Sequence, residues 1–473
     1  MTSADLIRIA CERFDRGEFK QTLARRIAHT SESQKTDNQP ALNRYLTDEI
    51  QPALLAMGFN VKLIASSDER HPPFLLAERI EDPNLPTVLS YGHGDVVFGD
   101  EENWRDGLMP WELVEEGNHW YGRGSADNKG QHSINLMALE QVFQARGQRL
   151  GFNCKLLFEM GEEIGSPGLA DLCQQHKQEL AADIFIASDG PRLNAERPTL
   201  FLGSRGCANF RLRIKAREQA YHSGNWGGLL SNPGTQLANA IASLVDEQGR
   251  MKIDALLPPP LTPALREILS TIDPAGSEGD PAIDENWGAE GLTPAERLFG
   301  WNTLEVLSFI TGNPNKPVNA IPADATAICQ LRFVVGTDWK NLAQHVHQHL
   351  DQHGFDQVDV EVLNTSPATR FNPEDPLVNW TLALMQQISG KQPALLPNLG
   401  GSLPNDVFAD ILGLPTLWIP HSYPACGQHA VNEHLLKSVA REGLAIMTGL
   451  FWELGEQGSH LLARHKQHEN RDG

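Results

Sequence analysis

The stretch LPTVLSYGH, residues 85–93, indicates the fold class of this chain. It is an apolar run with β-branched residues that ends in a histidine, which is the pattern of a buried strand in a parallel sheet. FNCKLLFEM (152–160) and ADIFIASD (182–189) repeat this pattern, and a helical period begins after Gly130, between the first two runs. Strands that alternate with helices predict an α/β fold with a mostly parallel sheet flanked by helices.

The pattern of the sequence changes from about Cys207. ANFRLRIKAR (208–217) alternates apolar and polar residues, as an antiparallel strand with one exposed face does. AICQLRFVV (327–335) and FDQVDVEVL (355–363) are similar. These patterns predict a separate region of α+β structure.

A buried-strand pattern returns near the C-terminus, in LGLPTLWIP (412–420). The first domain is therefore expected to be discontinuous. It comprises residues 1–206 and 376–473 and is interrupted by an inserted α+β domain of residues 207–375. A length of 473 residues suits two domains. The polar tail after Gly455 is expected to be disordered.

Composition and charge exclude several classes of protein. The formal net charge is −21, from 39 basic and 60 acidic side chains, which opposes binding to nucleic acid and to anionic membranes. No segment approaches the roughly 20 apolar residues of a membrane span, and the N-terminus lacks the apolar core of a signal peptide. A cytoplasmic location is expected. The six cysteines are scattered, without a CxxC pair, so we expect buried thiols and no cysteine zinc site.

Acidic and histidine side chains follow the buried-strand patterns or lie in glycine-flanked loops. They are His93 and Asp95 in YGHGDVV, Asp127 in GRGSADNKG, Glu162 and Glu163 in EMGEEIGS, Asp189 in IFIASDG and His429 in CGQHAVNEH. One such residue alone is more often a turn, a helix cap or a surface side chain. Several of them near the carboxyl ends of parallel strands, where ligands bind in such sheets, indicate a site. Buried carboxylates are costly unless cations or metals accompany them.

The chemistry of this set favours metal binding. Two histidines and three carboxylates suit zinc, manganese or cobalt. A carboxylate shared by two ions would hold them about 3.5–4 Å apart. In an adjacent glutamate pair, one member can bind metal while its neighbour acts as a base. Asp95 lies two residues after His93 and could accept the second ring N–H of that histidine.

The motifs occur in a characteristic order: HGD, GRGSADNKG, EEIGS, SDG, HSG, GGS and a late HxxNE. This order resembles the M20 family of metallopeptidases, and within it the carnosinase-type dipeptidases and their bacterial relatives. The resemblance covers nearly the whole chain. It implies a catalytic domain with a dinuclear metal site and a smaller lid domain that also dimerises.

The resemblance also implies a role for each ligand. His93 and Asp189 would hold one metal ion, Glu163 and His429 the other, and Asp127 would bridge the two. The family often has a cis peptide bond after the bridging aspartate, here Asp127–Asn128.

Further roles follow from matching motif positions. Glu162 would be the general base and Asp95 would support His93. In the inserted domain, His222 of YHSGNWGG would stabilise the tetrahedral oxyanion. The resemblance favours the site of a partner subunit, with the site of its own chain as the alternative. Substrate contacts are implied for Arg332, which would hold a free carboxylate, and for Asn319, Gly401 and Ser402. A solitary HSG is more often a turn, and an exposed strand arginine is common.

The sequence therefore predicts a homodimeric metallo-dipeptidase with two divalent ions per chain. Zinc is expected, with manganese and cobalt as alternatives, and the substrate is a small molecule with a free carboxylate. An N-acyl amino acid deacylase with the same site is the main alternative. An inactive, metal-stabilised binding protein is a remote alternative. The presence of a candidate base, Glu162, argues against it. A single zinc site would need fewer than five ligands.

Overall fold

The computed structural model describes residues 1–65, 71–275 and 281–472, with side chains to residue 468. The strands, in chain order, are β1 (Asn60–Ile64), β2 (Phe74–Arg79), β3 (Thr87–His93), β4 (Val114–Glu116), β5 (His119–Tyr121), β6 (Asn153–Glu159), β7 (Ile184–Ala187), β8 (Thr199–Phe201), β9 (Gly206–Lys215), β10 (Tyr221–His222), β11 (Thr303–Ile310), β12 (Ala320–Ile321), β13 (Asp324–Phe333), β14 (Asp359–Ser366), β15 (Ala394–Leu396), β16 (Thr416–Trp418) and β17 (His434–Leu436). The α-helices are α1 (Ser3–Asp15), α2 (Glu18–Ile27), α3 (Gln39–Arg44), α4 (Gln51–Ala56), α5 (Lys129–Ala145), α6 (Leu169–Gln175), α7 (Ser223–Trp226), α8 (Pro233–Leu244), α9 (Pro263–Leu269), α10 (Pro294–Gly300), α11 (Leu342–Gln352), α12 (Pro376–Ser389) and α13 (Lys437–Asp472).

The chain forms two compact units. The first unit comprises Met1–Gly203, Phe371–Pro397 and Leu403–Gly473, and the second comprises Ser204–Arg370 and Asn398–Ser402. The short segment Asn398–Ser402, predicted in the first domain, thus belongs to the second unit. One reason is that the backbone N–H of Arg205 donates to the carbonyl of Leu399 at 3.0 Å.

The largest sheet of the first unit has the strand order β1-β2-β6-β3-β7-β16-β8-β15. Its centre, β6-β3-β7-β16, is parallel, as is the pair β8-β15. The edge strands β1 and β2 pair antiparallel with each other, and β2 pairs antiparallel with β6. The predicted α/β fold is confirmed. The sheet is mixed because β1 and β2 at one edge are antiparallel and because β16 pairs antiparallel with β8, and mixed sheets are common among large ones.

The core of the first unit explains the unbroken apolar runs of the sequence. Strand β6 is buried at every residue, and β3 at every residue after the first. Helix α5 covers this sheet with an almost wholly buried surface. Aromatic rings extend the same core: Phe14 stacks on Phe19 with ring centroids 5.3 Å apart, and both lie against Trp120.

The prediction of a disordered tail after Gly455 is wrong. Helix α13 continues from Lys437 to Asp472. Leu461 and Leu462 are buried on it, and the ring Nδ1 of His465 lies 2.8 Å from a carboxylate oxygen of Asp375. The tail is helical because a few apolar residues at helical spacing pack against the unit, although most of its residues are polar.

The second unit contains a sheet of order β11-β13-β9-β14 in which every pairing is antiparallel. Residues alternate between buried and more exposed along β9 and β13, as predicted from their sequences. Helices α8 and α11 contribute buried residues to the core of this unit, among them Leu237, Leu244, Val346 and Leu350. A separate two-residue pair joins β10 to β12.

The absence of membrane-spanning helices and the state of the cysteines were both predicted from the sequence. Across the described ranges, no helix is both long enough and apolar enough to cross a bilayer. The six cysteines are free, five of them buried, and Cys207 is half-buried.

Candidate metal centre

Three neighbouring strands bring three of the five predicted ligands to one edge of the sheet. β3 ends at His93, β6 is followed by the turn Glu162–Ile164, and β7 ends two residues before Asp189. Because β6, β3 and β7 are parallel, their carboxyl ends meet at the same edge. The topology therefore places residues that are distant in sequence side by side.

Asp127 lies between the two predicted metal-binding histidines. His93 Nε2 is 3.2 Å from Asp127 Oδ1 and 3.6 Å from an oxygen of Asp189. His429 Nε2 is 3.2 Å from Asp127 Oδ2 and 3.0 Å from an oxygen of Glu163. The five residues form two groups of three that share Asp127, and within each group the ligand atoms lie within 4.8 Å of one another.

The electrostatics of this cluster fit divalent cations. The Oδ2 atom of Asp189 is buried and has no hydrogen-bond partner. Burial, followed by the charge of Asp127, raises the pKa of Glu163 to about 7, and burial raises the pKa of Asp189 to about 6. Burial opposes ionisation of Asp127, but hydrogen bonds from both histidines hold its pKa below the usual range. Several acids crowded and buried together without cations are costly, and bound metal ions would neutralise them.

The glutamate pair occupies a single 3-10 turn held by Asp95. The carboxylate of Asp95 accepts the backbone N–H of Glu162 at 3.2 Å and that of Glu163 at 3.1 Å. One of its oxygens also lies 3.3 Å from Nδ1 of His93. Burial, together with the charges of Asp189 and Glu163, raises the pKa of Glu162. Asp95 thus contacts His93, as predicted, and in addition orients the turn that carries the glutamates.

The residue after Asp127 connects the centre to the sheet. The peptide bond Asp127–Asn128 is cis, as predicted. The Asn128 amide donates to the carbonyl of Ser188 at 2.9 Å, and its oxygen lies 3.1 Å from Nδ1 of the buried His132. The other ring nitrogen of His132 is 2.7 Å from the hydroxyl of Tyr45. These contacts tie the loop of Asp127 to the end of β7.

Sequence reasoning missed Glu433, although the HxxNE motif contains it. Its buried carboxylate accepts hydrogen bonds from the backbone N–H groups of Gly124, Ala126 and Asp127 and from the guanidinium of Arg123. The only signal in the sequence was its position, four residues after His429. Its partners lie about 310 residues away in the chain.

The remaining predicted residues belong to the second unit, in two groups. His222 caps α7, where its Nδ1 accepts the N–H of Gly224 at 3.1 Å, and the carbonyl of Asn319 accepts the N–H of Ser223 at 2.9 Å.

In the other group, Nη1 of Arg332 donates to Ser402 Oγ at 2.8 Å. Gly401 immediately precedes that serine. The five metal-ligand candidates and Glu162 belong to the first unit.

A mostly buried cluster of acids and histidines, in which two groups share one carboxylate, is typical of a metal-dependent hydrolase. The chain belongs to peptidase family M20/M25/M40, whose family model matches residues 89–453. The predicted resemblance is therefore confirmed, and the family implies hydrolysis with divalent metal ions.

Relatives of known name cover almost the same length. A Mus musculus protein named Beta-Ala-His dipeptidase is 27% identical over 93% of this chain and 94% of its own. A Corynebacterium striatum protein named cysteinylglycine-S-conjugate dipeptidase is 26% identical over 82% of this chain and 85% of its own. The solved structure of an M20 family metallo-carboxypeptidase from Sulfolobus solfataricus has a TM-score of 0.78 and 24% identity, covering 93% of this chain and 99% of that one. This last likeness supports the fold.

Proposed function

We propose that this chain is a metallo-dipeptidase that binds two divalent metal ions and cleaves the amide bond of a dipeptide with a free carboxylate. The observation that carries the proposal is the position of Asp127, which directs one oxygen toward His93 and the other toward His429. A carboxylate so placed suits a bridge between two ions. Zinc is the expected metal, since the set is mixed histidine and carboxylate, with manganese and cobalt as alternatives.

The side chains of the centre divide the chemistry among them. His93 and Asp189 would hold one ion, and Glu163 and His429 the other. Bound metal ions supply Lewis-acid chemistry, which activates a water and polarises the substrate carbonyl. Glu162 takes the proton of the attacking water and passes it to the leaving amine. Its neighbour Glu163 faces His429, at 3.0 Å, which supports this division of roles within the pair.

The substrate class rests on the relatives and on the second unit. Two curated relatives are named as dipeptidases, which favours a dipeptide over an N-acyl amino acid. Arg332 is assigned to the substrate carboxylate, because a guanidinium can form two parallel hydrogen bonds with it. Asn319, Gly401 and Ser402 are assigned to further substrate contacts.

We assign homodimerisation to the second unit and oxyanion stabilisation to His222. The edge strand β11 exposes apolar side chains, with Leu307 54%, Phe309 41% and Ile310 60% exposed. An apolar strip of this kind on an edge strand is a candidate for pairing with another chain. Mixing inactive subunits distinguishes whether His222 acts in the site of its own chain or in that of its partner.

The test of this function is a substrate panel on metal-reconstituted protein. Purified protein is stripped with a chelator, reloaded separately with zinc, manganese or cobalt, and assayed against free dipeptides and N-acetyl or N-succinyl amino acids. We expect the chelated protein to be inactive, a metal to restore turnover, and dipeptides to be the better substrates. Turnover by fully demetallated protein would refute the mechanism, and a preference for N-acyl amino acids would establish the deacylase instead.

A further inference from the structure

We propose that Glu433 is a positioning residue that sets the distance between Asp127 and His429, and thereby the affinity for one of the two metal ions. This inference rests on the proposed dinuclear site and assigns a role to a residue that binds neither metal nor substrate. Its support is a set of hydrogen bonds that link two loops far apart in the sequence.

The carboxylate of Glu433 is surrounded by hydrogen-bond donors. Its Oε1 accepts the N–H of Ala126 at 2.9 Å and that of Asp127 at 3.0 Å. Its Oε2 accepts the N–H of Gly124 at 2.9 Å and Nη1 of Arg123 at 3.0 Å. All four donors lie within the five residues that end in Asp127, so one side chain determines the backbone course of the segment that presents Asp127.

The same side chain anchors the loop of the other ligand. Glu433 follows His429 by four residues, and its own carbonyl accepts the N–H of Gly122 at 3.0 Å. Arg123 closes the connection, because its Nη1 also donates to the carbonyl of Ala430 at 2.8 Å. The residue beside His429 is thus joined to the Glu433–Arg123 pair, which couples the positions of Asp127 and His429.

The segment that ends in Asp127 has little freedom to adjust if its hydrogen bonds to Glu433 are lost. A Cβ at Gly130 would lie 1.9 Å from the carbonyl oxygen of Ser125, so the backbone after Asp127 packs closely on the backbone before it. His429 and Asn432 both have positive φ angles, 59° and 61°. Such angles are uncommon for non-glycine residues, although histidine and asparagine adopt them more often than most.

Two accepting oxygens, and not merely the size of the side chain, are required. All four neighbours are N–H donors, so a carboxylate with two accepting oxygens satisfies each of them. In Glu433→Gln, one oxygen becomes an NH₂ group that faces two donors and leaves them buried without an acceptor. The distortion would fall on the loops of Asp127 and His429, which belong to the ligand group Asp127–Glu163–His429.

The experiment is a two-step metal titration of the intact protein. Apo wild type and Glu433→Gln are titrated with Zn²⁺ against a chromophoric chelator, and again with Co²⁺ while the visible spectrum of the bound cobalt is recorded. We expect the variant to lose about 10–100-fold in affinity at one binding step, the usual range when a group that supports a ligand is changed, and less at the other. The cobalt spectrum of the weakened step should change, and kcat should fall more than KM changes.

A matched control is available in the same unit. Glu81 has a side chain only 3% exposed, accepts the N–H groups of Leu150 and Gly151 at 2.6 and 3.1 Å, and pairs with Arg79 at 3.0 Å. Glu81→Gln should lower Tm as Glu433→Gln does, yet keep the metal affinities of wild type. If Glu433→Gln does not fold, Arg123→Lys provides the same test, because it weakens the link from the other side.

The outcomes separate this inference from the proposed function. Wild type that binds no metal overturns both. Two unchanged binding steps in the folded variants, or losses equal to those of Glu81→Gln, overturn the positioning role and leave the dinuclear site standing. A selective loss at one step, absent from the control, supports the role of Glu433.

Discussion

Replacing the assigned base, Glu162→Gln, tests the proposed mechanism most directly. The substitution keeps the size of the side chain and leaves the backbone N–H of residue 162 free to donate to Asp95, at 3.2 Å. The contact between Glu163 and His429 at 3.0 Å is not touched. Only the ability to accept and return a proton is removed.

The expected loss is large because Glu162 is assigned two proton transfers. General acid–base catalysis contributes typically about 10²–10⁴-fold to a rate. At about 1.36 kcal/mol per factor of ten, this corresponds to an increase of about 2.7–5.4 kcal/mol in the activation barrier. We expect kcat to fall toward the upper end of this range. KM should change little, since substrate binding is assigned to Arg332 and its neighbours.

Folding should survive the change. Burial and the nearby charges of Asp189 and Glu163 raise the pKa of Glu162, so its ionised form is disfavoured in the metal-free fold. A neutral glutamine removes that cost. The variant should therefore be at least as stable as wild type before metal is added.

The assay measures kcat and KM on protein reloaded with metal, with metal content determined by mass spectrometry. The expected result is near-complete loss of turnover with about two ions per chain still bound, as the proposed two-metal site requires. A kcat close to that of wild type at equal metal content would refute the assignment of Glu162. If the loss of activity accompanies a loss of metal, the residue acts as a ligand, which would also contradict its role as base.

Three further predictions address the substrate, the assembly and pH. Dipeptides with an amidated C-terminus should react much more slowly than free acids. Arg332→Lys should reduce this difference, because lysine poorly reproduces the two parallel hydrogen bonds of a guanidinium to a carboxylate. Equal rates for both substrates in wild type would remove Arg332 from the site. Mixing inactive His222→Ala and Glu162→Gln subunits should restore part of the activity if His222 acts in the partner's site, whereas no recovery despite proven subunit exchange would assign it to its own chain. Burial, followed by the charge of Asp95, raises the pKa of Glu159 from 4.5 to about 7. The contribution of protonated Glu159 to the free energy of unfolding is therefore fully present below pH 4.5 and is lost as pH rises through 7. Glu159→Gln, whose carbonyl can still accept from Tyr91, should therefore raise Tm at pH 8 and not at pH 4, and a Tm increase of the same size at both values would contradict this account.

Much of the fold followed from local patterns. The apolar run that ends in His93 identified a buried parallel strand, and alternation along residues 208–217 identified an antiparallel one. Both signals are local, because the spacing of apolar side chains along a strand reports which faces are buried. The same reasoning failed after Gly455, where the many polar residues obscured a helix held by Leu461, Leu462 and the pair His465–Asp375.

The residue types of the site could also be predicted. Acids and histidines at the ends of parallel strands are expected to meet, because topology brings those ends to one edge of the sheet. The five candidates do lie within two groups that share Asp127. The cis bond at Asp127–Asn128 was expected from the resemblance to the M20 family and is present.

By itself, the sequence determined the fold class, the family and the candidate ligands that the structure brings together. Only the tertiary structure decided which polar groups hold those residues in place. Asp95 binds the backbone of the glutamate turn, and Glu433 binds the loop of Asp127 from about 306 residues away. Apolar periodicity is a property of neighbouring residues and can be read along the chain. A hydrogen bond between a side chain and a distant backbone N–H depends on where two loops meet after folding, and no local pattern encodes that meeting.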